Sequence, residues 1–259
     1  MSGSAQWSDL APRVISGVLM AGLGAAVIWV GGLVFVALIS VLAGLMMWEA
    51  ARMFGAPDAR RSGVLAALAV ALAIWLPGLL ALPLLLSAVV VAAGSVEREK
   101  GPFFALAFWS LLGCFAMAML REGAGLIWVI WLVAVVVISD VAGYFAGRTL
   151  GGAKFWPRFS PKKTWSGTIA GWLGAAVIGL LFMEPTGAGL ALVPVSVLVG
   201  FAGQMGDIAE SAAKRLRAIK DSSGLIPGHG GVLDRFDAML GASVLVVILW
   251  ALNLMPGLA

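Results

Sequence analysis

The chain has 259 residues, of which 61% are apolar and only 12% charged, and its mean hydropathy is +1.03. So little polar surface cannot cover a soluble globule of this length, so the composition excludes a soluble enzyme or binding module and predicts an integral membrane protein. The formal net charge of +4 and pI near 9.6 require no nucleic acid, because cationic loops beside anionic lipid headgroups account for the excess.

Apolar runs fall at 14–30, 32–50, 63–77, 79–95, 103–120, 125–146, 168–184, 188–208 and 238–255. Most are in or near the roughly 17 to 25 residues that a spanning helix needs. The stretch from Val14 to Trp48 is too long for one helix and divides at Gly31-Gly32; the stretch 63–95 divides at Pro77-Gly78. The spacing therefore predicts an all-α polytopic membrane protein of about nine transmembrane helices. Arg13 ahead of an apolar stretch has the form of a signal peptide, but the unbroken continuation to Trp48 favours a retained helix.

With nine spans, sixteen of the 17 Lys and Arg residues fall on the side of the N-terminus and only Arg121 on the other. Lys and Arg gather in cytoplasmic loops. The N-terminus is thus expected in the cytoplasm and the C-terminus on the opposite side, as in a bacterial inner membrane. Trp29, Trp48, Trp128 and Trp165 lie near span ends and fit interfacial aromatic belts.

No composition shift, low-complexity tract or clear repeat divides the chain, so residues 1–259 read as one membrane domain. Residues 1–122 form its helical scaffold and 123–259 its catalytic half. In the scaffold, Glu49 at the end of the second span is expected to snorkel at an interface. The lone cysteine, Cys114, lies mid-span, can form no internal disulfide and is expected to pack.

The second half differs, because the loops 147–167 and 209–237 are long and hold ten of the 17 cations. Asp140 lies inside the sixth span in ISDVAGYFAGR, close to Tyr144 and Arg148; an intramembrane Asp requires a partner, either Arg148 or a loop cation. The segment FSPKKTWSGTIAG, 159–171, offers charge from Lys162 and Lys163. Thr164, Ser166 and Thr168 around Gly167 add hydroxyl donors at the start of the seventh span, a phosphate grip without Walker-loop spacing.

Asp207 ends an apolar span, and helical spacing puts Glu210, Ser211 and Lys214 on its face. Asp234 and Asp237 lie three apart at the start of the last span, after Pro227, Gly228, His229, Gly230 and Gly231. Glycines let a backbone turn its N–H groups towards an anion, and the following helix adds its positive end. Hard oxygen ligands, with no Cys cluster and one His, point to Mg²⁺ rather than zinc. Lys214, Arg215, Lys220 and Arg235 would neutralise phosphate oxygens.

Together these residues are similar to a known signature. Ser211, Lys214-Arg215, Lys220-Asp221, then PGHGG at 227–231, Asp234-Arg235 and Asp237 resemble the motif of the phosphatidate cytidylyltransferases, the CDP-diacylglycerol synthases. Gly206-Asp207 with Glu210-Ser211, SPKKT at 160–164, and Asp140 with Tyr144 and Gly147-Arg148 resemble the family's other blocks in order. The first half matches only in hydropathy. Departures are Ser222-Ser223, where the family often has an aromatic or apolar residue and Gly, and Val141, Ser166 and Ala213.

The resemblance implies transfer of CMP from CTP to phosphatidate, with Mg²⁺ and room for a second, monovalent cation such as K⁺. It implies metal on Asp207 and Asp234, with Asp237 and Asp221 next. Triphosphate would lie on Lys214, Arg215, Lys220, His229 and the turn of Gly228, Gly230 and Gly231, with Ser211 and Arg235 beside it. Ser160, Lys162, Lys163 and Thr164 would hold nucleotide or lipid phosphate. A homodimer is left open. The rival readings are a CTP-dependent lipid or polyprenol kinase, and an ion-coupled transporter; the latter would spread polar residues through several spans near the midplane.

Overall fold

The computed structural model describes residues 10–258, with side chains from residue 14 onward. Nine α-helices run through the described residues: α1 Leu10–Val30, α2 Gly32–Met53, α3 Ala59–Ala73, α4 Gly78–Gly94, α5 Lys100–Met119, α6 Leu126–Thr149, α7 Trp165–Phe182, α8 Leu192–Leu216 and α9 Leu233–Ala251. Five helical stretches are long and apolar enough to cross a membrane: Gly32–Met53, Lys100–Ala124, Leu126–Thr149, Trp165–Phe182 and Gly189–Leu216. Val14–Val30 and Gly78–Gly94 are apolar but shorter. Helix α3 has 15 residues, and α9 carries Asp234, Arg235 and Asp237 at its start.

Both expected breaks are present. Gly31 takes φ 67°, a left-handed conformation that ends α1 and lets α2 begin at Gly32; Pro77 precedes the first residue of α4. Across the first break lies a short π-helical turn, Leu120–Ala124, which follows α5. Arg121 Nε donates to the Ile28 carbonyl at 2.8 Å and a guanidinium nitrogen reaches that of Trp29 at 3.3 Å. The next residue, Glu122, accepts the Gly32 N–H at 3.0 Å. One dipeptide thus satisfies the exposed carbonyls of α1 and an exposed N–H of α2.

The core lies around α5. In its span 67% of the apolar window is buried, against 28% for α7, which marks α7 as peripheral. Phe35 and Met47 of α2, Phe103 and Leu111 of α5, and Trp131 and Leu132 of α6 are fully enclosed. Cys114 is buried there against Met46, as expected for packing. Large apolar residues such as Leu79, Trp29 and Leu33 face outward, an arrangement that only a lipid solvent makes favourable.

The all-α expectation holds with one short addition, since the loop after α6 folds into an antiparallel hairpin, β1 Lys154–Trp156 and β2 Ser160–Thr164. Phe155 packs edge-on to Trp165 at 4.7 Å, anchoring the hairpin to α7. Thr164 ends β2 and caps α7 by accepting the Gly167 N–H at 3.2 Å. Helices α6 and α7 approach so closely that a Cβ on Gly143 or Gly167 would meet the other's carbonyl, the small-residue packing of membrane interiors.

Candidate active site

Helices α6 to α9 and the hairpin enclose a cavity of about 580 Å³. Part of its lining is polar although the helices that supply it are mainly apolar. Gln204 on α8 donates to Ser139 Oγ of α6 at 3.2 Å and to the Thr168 carbonyl of α7 at 3.3 Å, and accepts from Trp172 Nε1 at 3.1 Å. Every strong valence of that amide except one is used, so three helices are held at fixed spacing.

Four carboxylates line the cavity: Asp140 from α6, Asp207 from α8, and Asp234 and Asp237 from α9. Helix α9 comes close to α8 because Gly206 leaves room for the Asp237 carbonyl. Lys163 on β2 reaches across to place Nζ 2.7 Å from Asp207 Oδ2, and also donates to the Gln204 carbonyl at 3.1 Å. Ser211 lies a turn beyond Asp207, its Oγ 3.4 Å from Oδ1. Ser160, Lys162, Thr164 and Arg235 complete the lining, with Arg148, whose guanidinium donates to the Tyr144 hydroxyl at 2.6 Å. That bond engages Arg148, and among the described residues Asp140 forms no ion pair.

Lys214 does not reach the cavity. Its ammonium sits between Glu210 and Asp234, 2.6 Å from each, with all three side chains nearly enclosed. Asp234 Oδ1 takes that contact, while Oδ2 accepts from the Ser222 N–H and hydroxyl, both at 2.9 Å, and from the Gly231 N–H at 2.7 Å. Glu210 and Lys214, placed on one helix face by their spacing, pair with each other, with Asp234 added from α9, so the ammonium expected to neutralise phosphate is engaged by two carboxylates.

The glycine turn lies on the other side of Asp234. Gly228 and Gly230 have positive φ, and the turn is closed by Ile226 N–H to Gly230 O at 2.8 Å. His229 Nδ1 is 2.8 Å from Ser16 Oγ of α1, and the Gly231 N–H is given to Asp234. Arg215 folds back onto the Ile219 carbonyl at 3.2 Å. Arg215, Lys220 and Asp221 are exposed and outside the cavity lining.

Two residues are missing from the sequence-based site. Gln204, a lone amide within FAGQMGD, carried the signal of a polar group inside a span. Glu49 carried the same signal but is wholly buried rather than snorkelling at an interface. Its partners come from a loop more than 170 residues away, and no local pattern announces them.

Residues 11–253 match the family model described as "Cytidylyltransferase family". The chain is 35% identical to a phosphatidate cytidylyltransferase of Brucella suis biovar 1 (strain 1330) over 265 residues, covering 96% of each chain. It is 30% identical over 269 residues to one of Bacillus subtilis (strain 168), covering 94% of this chain and 98% of that one. A phosphatidate cytidylyltransferase of Helicobacter pylori (strain J99 / ATCC 700824) is 40% identical over 146 residues, 55% and 54% of the two chains. With a full-length match in pattern and in relatives, and with acids and cations on one membrane cavity, this chain belongs to the cytidylyltransferase family.

Proposed function

We propose that the protein transfers CMP from CTP to phosphatidate, leaving CDP-diacylglycerol in the bilayer and releasing pyrophosphate. The observation that carries this reading is the juxtaposition, on one cavity, of Asp207, Asp234 and Asp237 with Lys162, Lys163 and Arg235. A phosphatidate phosphate oxygen attacks the α-phosphorus of CTP, and the bond from that phosphorus to the bridging oxygen of pyrophosphate breaks. Both reactants are already anionic, so the site's work is positioning and charge neutralisation. Lys163 and Lys162 hold phosphate oxygens from the hairpin side, and Arg235 from α9. Lys214 keeps Asp234 in place.

The donor set suits Mg²⁺. Among the described residues no group of three or more His, Cys, Asp or Glu stands ready as a cage. Magnesium needs none, since it takes one or two carboxylates and completes its shell with phosphates and water. Asp207 and Asp234, with Asp237 adjacent, would hold it; Asp221 is exposed and lies outside the cavity lining, next to Gly230 on the Asp234 side. When bound, the ion would draw charge onto the departing pyrophosphate. A monovalent cation such as K⁺ would fall to Asp140 and Asp237, the other two carboxylates of the lining.

Sixteen of 17 cations on one side of a nine-span arrangement support a cytoplasmic N-terminus, with the cavity facing the cytosol where CTP is found. The bacterial relatives support a place in the inner membrane, and a homodimer fits the same reading.

The test uses purified protein in mixed micelles with phosphatidate, CTP and Mg²⁺, following lipid-bound cytidine and pyrophosphate together. Equal amounts of both are expected, and their loss in Asp207→Asn and Asp234→Asn. Release of CDP with a phosphorylated lipid would overturn the reading in favour of a kinase.

A further inference from the structure

Glu49 is a buried carboxylate that touches no part of the cavity. Its four partners all lie in the loop before α9 and the first residue of that helix. Oε1 accepts from Ser223 Oγ at 2.6 Å and from the Val232 N–H at 2.9 Å. Oε2 accepts from the Leu233 N–H at 2.7 Å and from Ser222 Oγ at 3.2 Å. Among the described residues no cation forms an ion pair with it; two of its donors are N–H groups at the start of α9, where the helix end is positive. Desolvating a carboxylate is costly unless its bonds are remade, and here they are remade wholly within the segment that leads to Asp234.

Asp234 grips the same segment from the other side. Ser222 Oγ lies between the two carboxylates, 2.9 Å from Asp234 Oδ2 and 3.2 Å from Glu49 Oε2, so its single proton is shared between them. The N–H of Gly231 goes to Asp234, while those of Val232 and Leu233 go to Glu49. A Cβ on Gly231 would collide with the Ser222 hydroxyl and the Glu49 carboxylate together, so glycine there lets the two meet. Rotation of Asp234 about its side-chain torsions would break bonds that Glu49 holds in register.

We propose that Glu49 is a positioning residue for nucleotidyl transfer: α2 of the first half fixes the 222–233 loop and, through Ser222, sets the orientation of the Asp234 carboxylate towards the cavity. This rests on the function proposed above for its catalytic consequence, though not for the tether itself. The first half then contributes to chemistry through one side chain as well as through packing.

The test compares full-length wild type, Glu49→Gln and Ser223→Ala in detergent micelles by hydrogen–deuterium exchange, thermal midpoint and steady-state kinetics. Gln is nearly isosteric but presents an NH₂ to donors. Expected for Glu49→Gln is exchange in peptides covering 222–233 faster by about tenfold or more, with α4 unchanged. With it, kcat should fall about tenfold or more while KM for phosphatidate stays within about twofold, the signature of a displaced catalytic group. A lowered midpoint with wild-type kcat in the folded fraction, or wild-type exchange in 222–233, would overturn the proposal. If Glu49→Gln does not fold, Ser223→Ala decides, since it removes one bond and leaves three: local exchange should rise and kcat fall about threefold, and wild-type values for both would overturn the proposal. If wild type transfers no CMP, the function above fails while exchange still decides the tether.

Discussion

Lys163 and Asp207 face each other across the cavity from different elements, Nζ to Oδ2 at 2.7 Å, and both are partly open to solvent, 22% and 33% exposed. A pair so exposed contributes little to stability, but it places an ammonium beside a carboxylate that the proposed function gives to the metal. On the function proposed above, the ammonium would turn to phosphate oxygens and leave Asp207 to the metal.

Replacing Lys163 with Met should therefore damage catalysis and spare the fold. A charge-assisted hydrogen bond contributes about 1.5–3 kcal/mol, which converts to a fall in kcat/KM of roughly 10- to 100-fold. The thermal midpoint of Lys163→Met should stay within about 2 °C of wild type. A large loss of midpoint with kcat/KM retained would assign Lys163 to structure instead. Steady-state kinetics and a melting curve on the same preparation settle it.

Lys214 predicts the reverse. It serves two carboxylates at 2.6 Å, and the side chains of Glu210, Asp234 and Lys214 are 0%, 2% and 11% exposed. Lys214→Met strands two buried acids, and removing one partner of a buried pair costs about 3–5 kcal/mol, or roughly 6–20 °C of midpoint for a chain of this size. Glu210→Gln in the same chain removes one stranded charge, so the double variant should melt above Lys214→Met. If it melts lower, the two acids are not sharing Lys214.

The sequence exposed the parts of this arrangement that leave a local trace. The helix breaks at Gly31 and Pro77, the Glu210–Lys214 pair at helical spacing, and the clustering of Lys162, Lys163, Asp207, Asp234 and Asp237 were all legible, because glycine, proline and charge are rare in apolar spans. Direction was not legible. Lys214 and the Gly231 N–H look like phosphate ligands in a linear motif, yet both are turned onto Asp234, a choice made by how α9 docks on α8. The hairpin was hidden because residues 154–164 lack a clean period-two pattern. Glu49 was hidden because its meaning depends on contacts across 173 to 184 positions of chain.

Arg121 gives the last prediction, because its isolated place among the cations has a structural explanation. It is bound to the Ile28 and Trp29 carbonyls at 2.8 and 3.3 Å, and a Cβ on Gly31 would occupy the volume of its guanidinium. Arg121→Ala leaves carbonyls at the end of α1 unsatisfied and should cost about 1–3 kcal/mol. Gly31→Ala meets two penalties, the clash with Arg121 and the strain of φ 67°, the latter alone about 1–2 kcal/mol. In the double variant the clash disappears with the guanidinium, and only the strain and the lost bonds remain. The two losses should therefore sum to less than their separate values, by about 1 kcal/mol or more, as expected for residues in contact. Strict additivity of the midpoint shifts in a four-member thermal cycle would show that Arg121 does not occupy the space beside Gly31, and that the junction of α1 and α2 is held by other groups.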